Sequence, residues 1–188
     1  MKKAIIVHGW DGSPQEPMHM WIKRELEKKG YNVIAPKMPN PEAPEINSWI
    51  SKLKNEVGEI DGNTTFIGHS IGCQTILRFL EIVNFKGKVN TIFIAGWFKL
   101  DGLEKEGKEV EDIARPWLTT QINFDKIKQK INKLVVFLSS NEPYNFVDYN
   151  KKIFEENLNA KVIILKNKGH FREDDRVKQL PEILQFIK

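Results

Sequence analysis

Three side chains that could work together on a carbonyl group are scattered along this chain. Ser70 stands in Gly68-His69-Ser70-Ile71-Gly72, Glu142 in Ser139-Ser140-Asn141-Glu142-Pro143-Tyr144, and His170 in Lys168-Gly169-His170-Phe171. A serine hydroxyl is a weak nucleophile near neutral pH. An imidazole that takes its proton activates it, and a carboxylate fixes the tautomer of the imidazole. The chain order serine, acid, histidine suits nucleophilic acyl transfer. His170 is the candidate base because it follows the last strand-like run, on a loop opened by Gly169. His8 and His69 flank glycines in two turns, where structural hydrogen bonding accounts for them, and His19 falls in a helical stretch as a packing or surface residue. Two carboxylates compete for the third role. Glu142 directly follows a strand-like run and is favoured by that position; Asp148 is the alternative, where the next helix begins.

The developing oxyanion of such a reaction needs two N–H donors. Ile71, next after the nucleophile, offers one, and the Gly9-Trp10 peptide beyond the first strand offers the other. The chemistry requires no metal and no organic cofactor. Cys73, on the same predicted helix as Ser70, reads as a small buried filler and not as a second nucleophile.

A serine between two glycines is a common short pattern, and its setting carries the weight. Here a β-branched run, "TTFIGH", leads in and a helix-forming run, "IGCQTILRFLEIV", leads out. Glycines at 68 and 72 then leave room for a sharp corner against neighbouring backbone. The other strand candidates are "KAIIVHG", "YNVIAP", "NTIFIAGW", "KLVVFLSS" and "KVIILKN". Most are apolar at consecutive positions, as in strands covered on both faces. Helical spacing marks "MHMWIKRELEKKG", "EINSWISKLKNEV", "NFDKIKQKIN", "VDYNKKIFEENLN" and "DDRVKQLPEILQFIK". Alternation of strand and helix predicts an α/β fold with a mainly parallel sheet of about six strands and helices on both faces. Chemistry in such sheets collects at the carboxyl ends of the strands, where all the candidate residues fall.

The 188 residues suit one domain, 1–188. The net charge of +4 raises nucleic acid as a partner, but lysines and acids alternate, and the densest basic stretch, "DKIKQKINK", also presents Ile127 and Ile131 to a core. Nucleic acid is therefore not expected. The opening "MKKAIIVHGW" starts like a signal peptide, yet its apolar run stops at His8, and no run is long enough for a membrane span. With a single cysteine and no membrane segment, a cytoplasmic location is expected.

At this point the chain resembles a known family, the small α/β-hydrolase-fold serine hydrolases related to retinoblastoma-binding protein 9 and their bacterial relatives. "IVHGWDGSP", the tryptophan in "MHMWIKREL", "GYNVIAPKMPNPEAP", "FIGHSIG", "SSNEPY" and "NKGHF" carry the likeness over nearly the full length. The resemblance implies an α/β-hydrolase core without a large lid, and a triad of Ser70, an acid in the "NEPY" segment and His170. The family pattern has Asp where this chain has Glu142. Only residues 99–132 separate the fourth and fifth strand candidates, which leaves room for no more than a small cap. Trp10, Trp97, Phe98 and Trp117 are candidates for a pocket wall or for plain core packing. The expected function is hydrolysis of small esters, or amides, through an acyl-enzyme, with a small acyl compound as partner. Acyl transfer to an acceptor other than water is a third reading. The alternative is a hydrolase-fold protein with a weak site that acts as a binding module.

Overall fold

In the computed structural model, which describes residues 1–144 and 146–187, six strands form one sheet. They are β1 (Lys3–Val7), β2 (Asn32–Ile34), β3 (Thr64–His69), β4 (Val89–Ile94), β5 (Ile131–Ser139) and β6 (Lys161–Leu165). Every neighbouring pair is parallel, in the order β2-β1-β3-β4-β5-β6. The chain leaves β1 towards β2 on one side and comes back to β3 on the other. The order therefore reverses at β1, and a crevice opens between the carboxyl ends of β1 and β3.

The consecutive apolar residues of the strands serve two cores. Ile5, Val7, Phe66, Phe93 and Val136 face one cluster, while Ala4, Ile6, Ile67, Ile92 and Phe137 face the other. Because side chains alternate across a strand, only a sheet covered on both faces needs both sets apolar. On the second face lie α1 (Pro17–Lys28), through Met18, Ile22 and Leu26, and the C-terminal segment. The first face is covered by α2 (Ile46–Val57), α3 (Ile71–Ile82) and α7 (Val147–Leu158), with α6 (Phe124–Lys128) beside α3. Ten of the twelve residues of α3 are buried, which makes it the central helix and gives its first turn little freedom to move.

Three features differ from the sequence expectations. The second strand is only three residues long, at the sheet edge. Residues 101–120 hold two helices, α4 (Leu103–Glu106) and α5 (Lys108–Thr119), where no element was assigned. Arg78, buried in α3, fastens this pair. Its Nη2 donates to Trp117 O at 3.0 Å and Thr120 O at 2.9 Å, where the carbonyls at the end of α5 favour a cation. Finally, of the helix predicted over 174–188, whose last residue lies outside the described residues, only a 3-10 segment forms, Pro181–Phe186. Leu180, ahead of Pro181, lies outside the helical region at φ −137° and ψ 73°, as a residue before proline tends to, and the Asp175 carboxylate is engaged by upstream backbone instead of capping a helix.

The proline-rich stretch after β2, residues 36–45, is fastened to the body of the domain. Three indoles pin its carbonyls: Trp49 Nε1 donates to Pro39 O, Trp117 Nε1 to Pro44 O and Trp10 Nε1 to Glu42 O. Among the described residues, no helix is long and apolar enough to cross a membrane.

Candidate active site

Strand β3 ends at His69 and α3 begins at Ile71, so Ser70 alone makes the corner, at φ 53° and ψ −122°. A positive φ is costly for a residue with a Cβ and persists only where its surroundings impose it. They do so here by close approach. A Cβ at position 72 would lie 2.4 Å from Val7 O, and one at position 68 would lie 2.8 Å from Cys73 Cα. Both glycines are required by neighbouring backbone, and the Ser70 N–H is held by Ile94 O at 2.8 Å.

The hydroxyl set up by this turn meets two partners. His170 Nε2 lies 2.8 Å from Ser70 Oγ, and Trp97 Nε1 donates to the same oxygen at 3.3 Å. On its other edge, His170 Nδ1 donates to Glu142 Oε1 at 2.8 Å. Since a carboxylate only accepts, the proton sits on Nδ1, and Nε2 is left with the lone pair that can take the serine proton. Glu142 and His170 are 11% and 7% exposed, so the pair lies largely outside the screening of water.

The loop that carries His170 is held by residues for which the sequence suggested no role. Ser139 Oγ accepts from Lys168 N, Asn141 Oδ1 accepts from Gly169 N, and Ser140 Oγ accepts from Asn167 N. Asp175 Oδ2 accepts from His170 N at 2.8 Å and from Arg172 N at 3.0 Å. Ser139 at the end of β5, Ser140 and Asn141 just after it, and Asp175 in the following turn thus hold the backbone on either side of the imidazole. No spacing rule relates these residues to His170, and only the path of the loop brings them together.

Asp148, the alternative acid, is exposed in the first turn of α7 and does not line the cleft that holds Ser70. The two proposed donors, the backbone N–H groups of Trp10 in the turn after β1 and of Ile71 at the start of α3, make no backbone bond outside the helices and strands among the described residues. Of the four tryptophan and phenylalanine candidates for a pocket wall, Trp10 and Trp97 line the cleft. Phe98 packs against Phe124 and Phe154, and Trp117 is buried against Trp49.

The remaining histidines are buried. His8 Nδ1 donates to Gly9 O and its Nε2 accepts from Met38 N, a purely structural pairing that holds the first turn to the proline-rich loop. Desolvation pushes His8, His19 and His69 below the ordinary imidazole value. Burial pushes the Cys73 thiol far up, so it is no thiolate nucleophile.

The cleft has a volume of about 560 Å³ and runs from Ser70 and His170 to a roof formed by α4 and α5. Leu100, Leu103, Val110 and Ile113 make that roof apolar, while Asp11, Glu42, Glu106 and Glu109 give the cleft an acidic lining as well. The small cap expected from the spacing is this pair of short helices.

Known proteins share this architecture. The chain is 27% identical over 191 residues to the hydrolase YdeN of Bacillus subtilis, covering 99% of this chain and 94% of that protein. The crystal structure of the B. subtilis ydeN product superposes with a TM-score of 0.87 at 23% identity, over 100% of this chain and 97% of that one. A carboxylesterase structure from the thaumarchaeon Nitrososphaera gargensis covers 99% of this chain and 88% of its own, with a TM-score of 0.69 and 17% identity. Est1E of Butyrivibrio proteoclasticus, solved with ferulic acid, covers 100% and 90%, with a TM-score of 0.71 and 12% identity. At such identities the likeness is one of fold, and the fold is that of the α/β hydrolases. Residues 4–188, almost the whole chain, match the serine hydrolase family, and the protein belongs to it.

Proposed function

We propose that the protein hydrolyses small carboxylic esters through an acyl-enzyme formed on Ser70. The observation that carries this reading is the line from Glu142 Oε1 through the His170 ring to Ser70 Oγ, with both hydrogen-bonded gaps 2.8 Å, opening on the cleft under the apolar roof. His170 takes the Ser70 proton as Oγ bonds to the substrate carbonyl carbon. The oxyanion is held by the N–H groups of Ile71 and Trp10. When the ester C–O bond breaks, His170 returns the proton to the departing alcohol. Water repeats the sequence from the other side, with His170 again the base, and frees the acid.

Family membership supports hydrolysis, and the carboxylesterase and Est1E folds support esters over other substrates. A cleft roofed by two short helices suits short acyl chains. In our reading the chain stands with the serine hydrolases related to retinoblastoma-binding protein 9, on the motifs quoted above, and acts in the cytoplasm on a small acyl compound, without nucleic acid or membrane as partner.

The test uses p-nitrophenyl esters of rising chain length and a fluorophosphonate probe. Wild type turns over the acetate, loses activity as the chain lengthens, and is labelled at one serine. Ser70→Ala melts as wild type does but neither hydrolyses nor labels. Undiminished turnover by Ser70→Ala would overturn the mechanism.

A further inference from the structure

We propose that Glu16, His19 and His69 form a binding site for a divalent transition metal, Zn²⁺ by its donor set, behind the Ser70 turn. One donor atom from each of the three lies within 4.8 Å of the other two. His19 and His69 are 1% and 3% exposed, and among the described residues His19 Nε2 and His69 Nδ1 have no hydrogen-bond partner. Buried polar atoms without partners are rare and costly, and here two occur in rings whose centroids are 5.4 Å apart.

The tautomers show what these atoms offer. His19 Nδ1 lies 3.1 Å from Ser13 O, and His69 Nε2 lies 2.8 Å from His170 O. A carbonyl can only accept, so in each neutral ring the proton is on the bonded nitrogen and the orphaned nitrogen carries a lone pair. Two lone pairs cannot satisfy one another. An imidazole that donates one N–H to a carbonyl while its other nitrogen stays free is the arrangement of a metal ligand with its supporting partner in place. Glu16 adds negative charge. Its Oε1 accepts from Ser13 N at 2.8 Å, and its Oε2 is the oxygen nearer the imidazole of His19, 3.7 Å from Nδ1.

The space is also prepared. A Cβ at position 12 would lie 2.4 Å from Glu16 Oε1, and one at position 9 would lie 3.2 Å from His69 Nδ1. Any side chain there would crowd a ligand atom. Glu16, His69, Gly9 and Gly12 line the same cleft as Ser70, which gives an ion a way in and leaves a coordination position open to water. Two imidazoles and a carboxylate fit Zn²⁺ better than the oxygen-seeking Ca²⁺ or Mg²⁺. A bound ion would join the start of α1 to the residue preceding Ser70 and, through the His69 N–H, to the backbone of His170. Its place is structural, and no step of the ester reaction requires it.

The test titrates metal-stripped full-length protein with Zn²⁺ by calorimetry and with Co²⁺ by visible absorption. Wild type is expected to bind one ion per chain, with a raised melting temperature and the visible bands of low-symmetry Co²⁺. Glu16→Gln and His19→Gln should each weaken binding at least tenfold. Should His19→Gln fail to fold, Glu16→Gln, altered at a partly exposed position, decides alone. No saturable binding to wild type, or wild-type affinity in the variants, would overturn the site and leave the lone pairs bridged by water.

Discussion

Glu142 Oε1 and His170 Nδ1 are 2.8 Å apart although 28 residues separate them, and the exposed Asp148 does not share their cleft. The longer side chain of a glutamate reaches the ring from directly after β5. Glu142→Gln would present an amide that can impose the wrong tautomer, and turnover of p-nitrophenyl acetate is expected to fall by about 10³- to 10⁴-fold. Asp148→Asn should stay within about twofold of wild type, as for a surface change away from the cleft. Steady-state rates of the two variants settle the assignment, and the opposite ranking would move the acid to Asp148.

Trp97 donates to the hydroxyl that His170 is placed to deprotonate. As the serine proton moves, charge builds on Oγ, and a fixed donor favours that state. Trp97→Phe keeps most of the ring but removes the N–H. A neutral hydrogen bond is worth about 0.5–1.5 kcal/mol, so kcat/KM should drop roughly two- to tenfold with little change in melting temperature. An unchanged rate would reduce Trp97 to a wall of the cleft.

The main candidates were legible because a parallel sheet puts the ends of all its strands on one edge, so Ser70, Glu142 and His170 could be read as residues that follow strands. The residues that hold them could not be read this way. Ser139, Asn141 and Asp175 touch the His170 loop through backbone amides, and that contact follows from the course of the loop, with no periodicity behind it. Helix α5 had a signal in the spacing of Val110, Ile113, Ala114 and Trp117. It was hidden by dense charge and by Pro116, which reads as a breaker although α5 runs through it to Thr119. The C-terminal segment erred the other way: Val177, Leu180, Ile183 and Ile187 have helical spacing, yet they pack on the sheet from turns and a short 3-10 segment.

Asp175 holds the His170 backbone, and among the described residues it makes no hydrogen bond to Ser70 or to the imidazole nitrogens. In the proposed mechanism it is a positioning residue. Asp175→Ala frees two N–H groups and lets the loop shift, and a displacement of about 1 Å in a reacting group can cost on the order of 10²-fold. The loss should fall on kcat, with KM nearly unchanged, and Asp175→Asn, which keeps one acceptor, should recover part of it. A loss confined to KM would instead place Asp175 in substrate binding.

The cleft lining sets Asp11, Glu42, Glu106 and Glu109 against Arg172, the one arginine or lysine among the described lining residues, although the whole chain carries a net +4. A focused negative field favours cationic or neutral substrates. Between matched esters of an ω-amino acid and a dicarboxylic monoester, the cationic one should have a KM lower by about fivefold at low salt. Because this attraction is screened, the ratio should shrink towards one at about 1 M salt, where the Debye length is near 3 Å. A preference for the anionic ester would contradict the field read from the lining.

Cys73 lies fully buried in α3, three residues beyond Ser70, its Sγ 3.6 Å from Ile94 O. Burial pushes its thiol above the ordinary value. The folded chain therefore keeps a proton that the unfolded chain gives up above a pH of about 8.5. This group's contribution to stability is whole below that pH and is lost progressively as pH rises beyond it. Cys73→Ala should flatten the alkaline limb of stability against pH while retaining ester turnover. In wild type, an aromatic disulfide reagent should react at the rate of global opening and no faster. Rapid labelling of the folded protein, or loss of turnover in a folded Cys73→Ala, would contradict the reading of the thiol as a buried filler.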